Sequence, residues 1–234
     1  MEREGISAIT QMDAKSPVAE AYRLLRSNIQ FASIDRELRT LLITSASPEE
    51  GKSTTLFNLG VVMAQSGKKV ILLGCDLRKP TLHRLCGGHN RVGVTTVLLG
   101  QKTVDEALQE TGVPNLLLLN SGPVPPNPSE LLGSAGMRTL LEQLKERADI
   151  VLVDSPPVVP VADAVVLSAI VDGVLLVVSA GHTQYQVAKD AKAALDNAKA
   201  NIIGAVLNNV PVTKGNYYYY YYYYSSDSGE ESSR

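Results

Sequence analysis

The sequence predicts an α/β fold in which a parallel sheet is covered on both faces by helices, and three observations carry that reading. Short apolar runs, β-branched or leucine-rich, recur at 41–44, 70–73, 116–119, 150–153, 174–178 and 202–207. Segments with helical spacing separate them, and strands that alternate with helices build parallel sheets buried on both sides. The ends of several runs carry glycine or acidic residues, and ligands of such sheets bind beyond the carboxyl ends of the strands.

Composition agrees with one such unit. A chain of 234 residues, 44% of them hydrophobic, can bury a substantial core as a single domain. A net charge of -2 leaves no basic footprint, which argues against nucleic acid as the partner. Cys75 and Cys86 are too few for a disulfide framework and suit a reducing compartment. His83, His89 and His182 show no metal-ligand spacing. No apolar stretch has the length of a membrane span, and the start Met1-Glu2-Arg3-Glu4 is not a signal peptide. A cytoplasmic chain is expected, with any membrane link supplied by a partner.

Taken in order, residues 17–31 read as an amphipathic helix with Ser16 as cap and Pro17 in its first turn, within an N-terminal extension over 1–38. A core over 39–212 follows. Its first strand runs into Ala46-Ser47-Pro48-Glu49-Glu50-Gly51-Lys52-Ser53-Thr54, which opens a helical segment. Strand, loop and helix in this order form a phosphate-binding P-loop for ATP or GTP. Backbone N–H groups at the helix start cradle phosphate oxygens, Lys52 reaches the β and γ phosphates, and the Ser53 hydroxyl ligates magnesium. Gly51 permits close backbone approach. Ala46 replaces the usual first glycine, and the strand before it and the helix after it supply the context instead. The fold class is therefore a P-loop NTPase-type parallel sheet with helices on both faces.

The run at 70–73 leads through Gly74 and Cys75 to Asp76, Leu77, Arg78, Lys79 and Pro80. Asp76 is placed to share the magnesium, and Arg78 and Lys79 to stabilise phosphoryl charge or meet an acidic partner. Residues 122–128, rich in proline, predict an extended surface loop before a helix starting near Ser129. The run at 150–153 ends in Asp154-Ser155-Pro156-Pro157, the layout of a strand whose terminal carboxylate holds magnesium directly or through water. Asn208 follows the last run. Beyond Pro211 the character changes to a disordered tail over 213–234, holding Tyr217, Tyr218, Tyr219, Tyr220, Tyr221, Tyr222, Tyr223 and Tyr224 before a segment of serine and acid.

These motifs together resemble the bacterial tyrosine kinases, the P-loop kinases of capsule and exopolysaccharide synthesis. The resemblance rests on residues 45–54, on 70–80, on Pro125-Pro126-Asn127-Pro128-Ser129-Glu130-Leu131-Leu132, on Asp154-Ser155-Pro156-Pro157, on Glu20-Ala21-Tyr22-Arg23-Leu24-Leu25-Arg26 and on the terminal tyrosine cluster. It implies a cytoplasmic kinase, recruited to the inner face of the membrane by a transmembrane modulator. Such a kinase uses ATP and magnesium, phosphorylates its own tail in trans and protein tyrosines besides, and is reversed by a tyrosine phosphatase. Carried onto this chain, the catalytic set is Lys52, Asp76, Asp154 and Arg78, and the metal set is Ser53, Asp76 and Asp154. The nucleotide set is Ser47, Pro48, Glu49, Glu50, Gly51, Lys52, Ser53, Thr54 and Asn208, the last resembling an adenine-contacting asparagine. Glu20, Arg23 and Arg26 share a helix face by their spacing, and the resemblance makes them the interface of a homo-oligomeric ring.

Gly74 departs from the pattern, standing where the family carries its first aspartate. If that carboxylate is a general base, its loss costs on the order of 10² to 10⁴ in rate, and an aspartate restored at 74 raises tail phosphorylation. Two other functions share the motif set: a positioning ATPase of the related deviant-P-loop group, and a catalytically weak nucleotide-binding scaffold. The ATPase group carries a lysine at the second loop position, where this chain has Ser47.

Overall fold

Burial along the central strands explains why their sequences read as unbroken apolar runs. The computed structural model describes residues 16–32 and 37–211. Its elements, in chain order, are α1 Pro17–Ala32, β1 Thr40–Ser45, α2 Lys52–Gln65, β2 Val70–Gly74, α3 Leu82–Leu85, α4 Val94–Leu98, α5 Val104–Ala107 and β3 Leu108–Glu110. They continue with β4 Leu116–Leu119, α6 Pro128–Leu132, α7 Ala135–Lys145, β5 Ile150–Asp154, α8 Asp163–Ser168, β6 Gly173–Ser179, α9 Tyr185–Asn197 and β7 Ile202–Asn208. The tyrosine run and the rest of the tail lie outside the described residues.

The strands form one seven-stranded sheet in the order β3-β4-β2-β5-β1-β6-β7. Successive side chains of β1, β2 and β5 point to opposite faces, as pleating requires. Leu42, Ile71, Leu73, Val151 and Val153 enter a core shared with Leu140, Leu144, Leu167 and Leu195 of α7, α8 and α9. Leu41, Ile43, Val70, Leu72, Ile150 and Leu152 enter the opposite core, with Leu56, Leu59 and Met63 of α2. Gly60 lets α2 lie close to the sheet, since a Cβ there would come within 2.6 Å of the Leu72 side chain.

Six strands are parallel, as the alternation predicts. The seventh, β3, pairs antiparallel with β4 at one edge. Its three residues are too short and too exposed to print an apolar run. The short link 111–115 makes antiparallel pairing the available geometry, because a parallel return needs a long crossover.

The predicted first helix forms as α1, with the Ala19 N–H donating to Ser16 Oγ at 3.1 Å. Tyr22 and Leu25 pack against the α2-side core. Val18, Leu24 and Phe31 stay exposed. The proline-rich segment crosses the surface, and Pro128 opens α6 as a first-turn proline.

Because β5 lies between β2 and β1, Asp154 sits opposite Gly74 on one side and Ile43 on the other. The carboxyl ends of β1, β2 and β5 therefore meet at one rim.

Candidate active site

At that rim β1 delivers residues 46–51 and α2 begins at Lys52. Gly51 has φ 88°, a left-handed conformation that favours glycine, and a Cβ there would fall 2.2 Å from Asn208 Nδ2. The same Nδ2 donates to the Glu50 carbonyl at 3.0 Å. In this structure Asn208 thus fastens the loop to the end of β7. Glu49 also has positive φ, 64°, a conformation that costs a non-glycine residue roughly 1–2 kcal/mol.

The neighbouring Glu50 holds that shape. Its carboxylate is fully buried, accepting from the Ser47 N–H at 3.1 Å and from the Thr183 hydroxyl at 2.5 Å. Thr183 Oγ1 in turn accepts from the Ser179 N–H at 2.7 Å, at the end of β6. The loop is therefore strapped from both sides. No side chain caps the N-terminus of α2, so its first N–H groups and the positive end of its dipole are available to an anion.

The acids converge beside it. Asp154 ends β5 and accepts from Ser53 Oγ at 3.0 and 2.9 Å on its two oxygens. Thr81 Oγ1 donates to Ser53 Oγ at 3.3 Å. Lys52 Nζ stands 3.2 Å from Asp76 Oδ2, and the Lys79 N–H donates to Asp76 Oδ1 at 2.9 Å. Burial pushes the Asp154 carboxyl up to about 6, against the charge of Lys52; the charge of Asp76 adds to the rise and the Ser53 hydroxyl opposes it. Two buried carboxylates and a hydroxyl form an all-oxygen donor set. It suits magnesium, which keeps several waters and shares its shell with phosphate. No cluster of three or more His, Cys, Asp or Glu among the described residues offers a closed metal cage. The residues present fit both a nucleotide triphosphate and its magnesium.

Of the two expectations for Arg78, phosphoryl charge or an acid, this structure places it against an acid of its own chain. Its Nε and Nη2 reach the two oxygens of Asp163 at 2.9 and 3.0 Å, and Nη2 also donates to Ser129 Oγ at 3.1 Å. The Ser129 hydroxyl donates to Asp163 as well, at 2.5 Å. Asp163 is fully buried at the first turn of α8. The bond to Asp163 holds the guanidinium above its usual pKa.

Gly74 is equally constrained. A Cβ at this position would lie 2.9 Å from both the backbone nitrogen and the hydroxyl of Ser121. An added side chain has to move the chain that leaves β4. The Cys75 thiol is pushed well up by burial and by Asp154 and Asp76, and burial with Asp154 pushes Cys86 up to about 12. Neither is a ready nucleophile, because the thiolate is the reactive form.

The three residues of the expected ring face divide. Glu20 and Arg23 pair at 2.8 Å within α1, whereas Arg26 Nη1 donates to the Val62 carbonyl of α2 at 3.0 Å. Sequence reasoning missed Thr183, Asp163 and Thr81. Thr183 and Asp163 lie beyond strands β6 and β5 with no motif spacing to the loop, so only the topology brings them in. Ser129 belongs to the proline-rich motif, and its hydroxyl gains a role only through its contact with Asp163.

Comparison with known proteins places this geometry. A family model described as an AAA domain matches residues 49–201. The chain is 45% identical over 208 residues to the tyrosine-protein kinase YwqD of Bacillus subtilis, covering 89% of this chain and 88% of the relative. It is 39% identical to the putative tyrosine-protein kinase CapB of Staphylococcus aureus, over 86% of this chain and 88% of the relative. The solved kinase domain of the Escherichia coli tyrosine kinase ETK superposes with a TM-score of 0.86 at 34% identity, over 91% of this chain and 85% of that one. The septum site-determining protein MinD of Pyrococcus horikoshii, solved with Mg-ADP, shares the fold at a TM-score of 0.64 and 22% identity, over 75% of this chain and 72% of that one.

Proposed function

The chain belongs to the bacterial tyrosine-protein kinases, and from that premise we propose that it transfers the γ-phosphate of ATP to the tail tyrosines 217–224 of another copy and to other protein tyrosines. The observation that carries this reading is the meeting of Lys52, Ser53, Asp76 and Asp154 at one rim beside an uncapped helix start. Magnesium, when bound, neutralises charge on the transferring phosphate. Ser53, Asp76 and Asp154 would hold it.

In the transfer, the phenolic oxygen of the acceptor forms a bond to the γ-phosphorus, the bond to the β–γ bridging oxygen breaks, and ADP leaves. Lys52 supplies a positive charge to the phosphates, and the strapped loop presents its N–H groups without reorganisation. Gly74 offers no carboxylate to take the phenol proton, so the proton passes to solvent and turnover is slow. Arg78 acts through Asp163 in holding the segment that carries Asp76. The setting that the family supports is capsule or exopolysaccharide synthesis, with a transmembrane modulator as activator, a tyrosine phosphatase as antagonist, and a ring built through Glu20, Arg23 and Arg26.

One incubation tests the reading. Purified protein with ATP and magnesium should gain phosphotyrosine, detected by antibody. Free phosphate without phosphotyrosine would mark a positioning ATPase, and neither product a nucleotide-binding scaffold.

A further inference from the structure

We propose that Tyr185 is a second phosphoacceptor of this kinase, a fixed site on the folded domain apart from the tail. The proposal rests on the kinase reading above. Of the 10 tyrosines in the sequence, eight form the run 217–224, leaving Tyr22 and Tyr185. Tyr22 packs from α1 onto the α2-side core. Tyr185 is 77% exposed, the single exposed phenol among the described residues.

Its position is set by the sheet. β6 runs parallel to β1, with Val177 in register with Ser45, so both strands leave the sheet at the rim where the phosphate loop begins. Thr183 lies between β6 and α9 and is hydrogen-bonded to Glu50 of that loop. Tyr185 follows two residues later as the first residue of α9. The acceptor oxygen is thus displayed at the first turn of α9, directly after an anchored connection, where it is open to a second copy.

The surroundings suit the product. The Lys189 ammonium stands 5.2 Å from the Tyr185 ring centroid, one helical turn on, where a rotation of its stem brings it to a phosphate on the phenol. The transfer balances as it does for the tail: the Tyr185 oxygen bonds to the γ-phosphorus of ATP in another copy's site, ADP departs with the bridging oxygen, and the phenol proton goes to solvent. The phosphate adds about −1.5 to −2 charge beside the nucleotide rim.

The test uses the full chain with every tail tyrosine from Tyr217→Phe to Tyr224→Phe replaced, incubated with ATP and magnesium beside a Glu/Tyr copolymer in the same tube. Mass spectrometry of tryptic peptides should find phosphate on the peptide bearing Tyr185 and lose it in Tyr185→Phe. Phosphorus NMR of the modified protein should show a higher second phosphate pKa in Lys189→Ala than in the parent, because the ammonium favours the dianion. A phosphorylated copolymer with bare Tyr185 overturns the proposal alone. If both stay bare, the proposal falls together with the kinase reading. An unchanged phosphate pKa in Lys189→Ala overturns the role given to Lys189.

Discussion

Arg78 closes a two-pronged ion pair on Asp163, with Nε and Nη2 at 2.9 and 3.0 Å from the two carboxylate oxygens. The pair joins the turn after β2 to the start of α8 and draws in Ser129 of α6. Asp76 sits two residues from Arg78, so the same clamp fixes the chain that carries the carboxylate paired with Lys52. Asp163→Asn keeps the shape and removes the charge. It should lower stability by about 2 kcal/mol, the scale of a hydrogen bond to a charged group, with Arg78's partial exposure keeping the loss from the range of a fully buried pair. Thermal unfolding reads the stability, and ATP-dependent tyrosine phosphorylation should fall with it. An unchanged melting temperature would show that the clamp holds nothing.

Lys52→Met and Asp154→Ala test the chemistry itself. Lys52 stands against Asp76, and Asp154 against Ser53, at the carboxyl ends of the strands rather than within the core. Each variant should fold and each should lose tail phosphorylation by at least 10²-fold, the scale on which single electrostatic contributions act in transfer reactions. Circular dichroism with a phosphotyrosine blot separates the two effects. Retained phosphotyrosine in either variant contradicts the assigned roles.

Much of this architecture was legible in the sequence because the central strands are buried on both faces. Residues 70–73 and 150–153 could not alternate polar and apolar, and their continuity announced a parallel sheet. The loop was legible because phosphate binding fixes residue types at fixed spacing, as Gly51, Lys52 and Ser53 show. Thr183 and Asp163 were not legible. Thr183 reaches Glu50 and Asp163 reaches Arg78 across more than 80 positions, a relationship that local spacing does not encode. Edge strand β3 escaped because Leu108–Glu110 is partly exposed and takes its pairing from β4.

Thr183→Val removes one hydroxyl from the strap on Glu50 while keeping the side-chain shape. The Ser47 N–H still reaches the carboxylate, so the loop should loosen rather than collapse. Losing a hydrogen bond to a buried charge costs about 1.5–3 kcal/mol, and if about 1.4 kcal/mol of that is felt by the nucleotide, KM for ATP rises tenfold. Steady-state kinetics should show KM rising more than kcat falls. A change confined to kcat would place Thr183 outside nucleotide binding.

Gly74 sets two effects against each other. A carboxylate there would supply the acid that the resemblance expects at this position, yet its Cβ meets the Ser121 backbone at 2.9 Å. Gly74→Ala isolates the steric part and should destabilise by about 1–3 kcal/mol, the range for overpacking a tight interior. Gly74→Asp should show the same loss of melting temperature, and faster phosphorylation per folded molecule if the acid is catalytic. Gly74→Ala melting at the parental temperature would mean that Ser121 yields freely.

The proposed ring is the assembly in which tail and active site would meet, and it is open to a cleaner test than removing all its charges. Arg26 is bound to the Val62 carbonyl of its own chain, so Arg26→Ala disturbs the seat of α1 and confuses any reading of assembly. Glu20 and Arg23 pair on a half-exposed helix face, where such a pair contributes at most about 1 kcal/mol to folding. Glu20→Arg should therefore leave the melting temperature nearly unchanged while placing like charges across the interface. Light scattering should show a smaller particle than the parent. Phosphorylating the tail should act in the same direction, because each phosphate adds about −1.5 to −2 charge and neighbouring tyrosines are spaced within the screening length of about 8 Å. Repulsion among such groups is barely screened, so charged tails should leave the neighbouring sites and remove a contact that supports assembly. A fully phosphorylated protein, confirmed by mass, that keeps the size of the unmodified one would rule out this coupling while leaving the kinase intact.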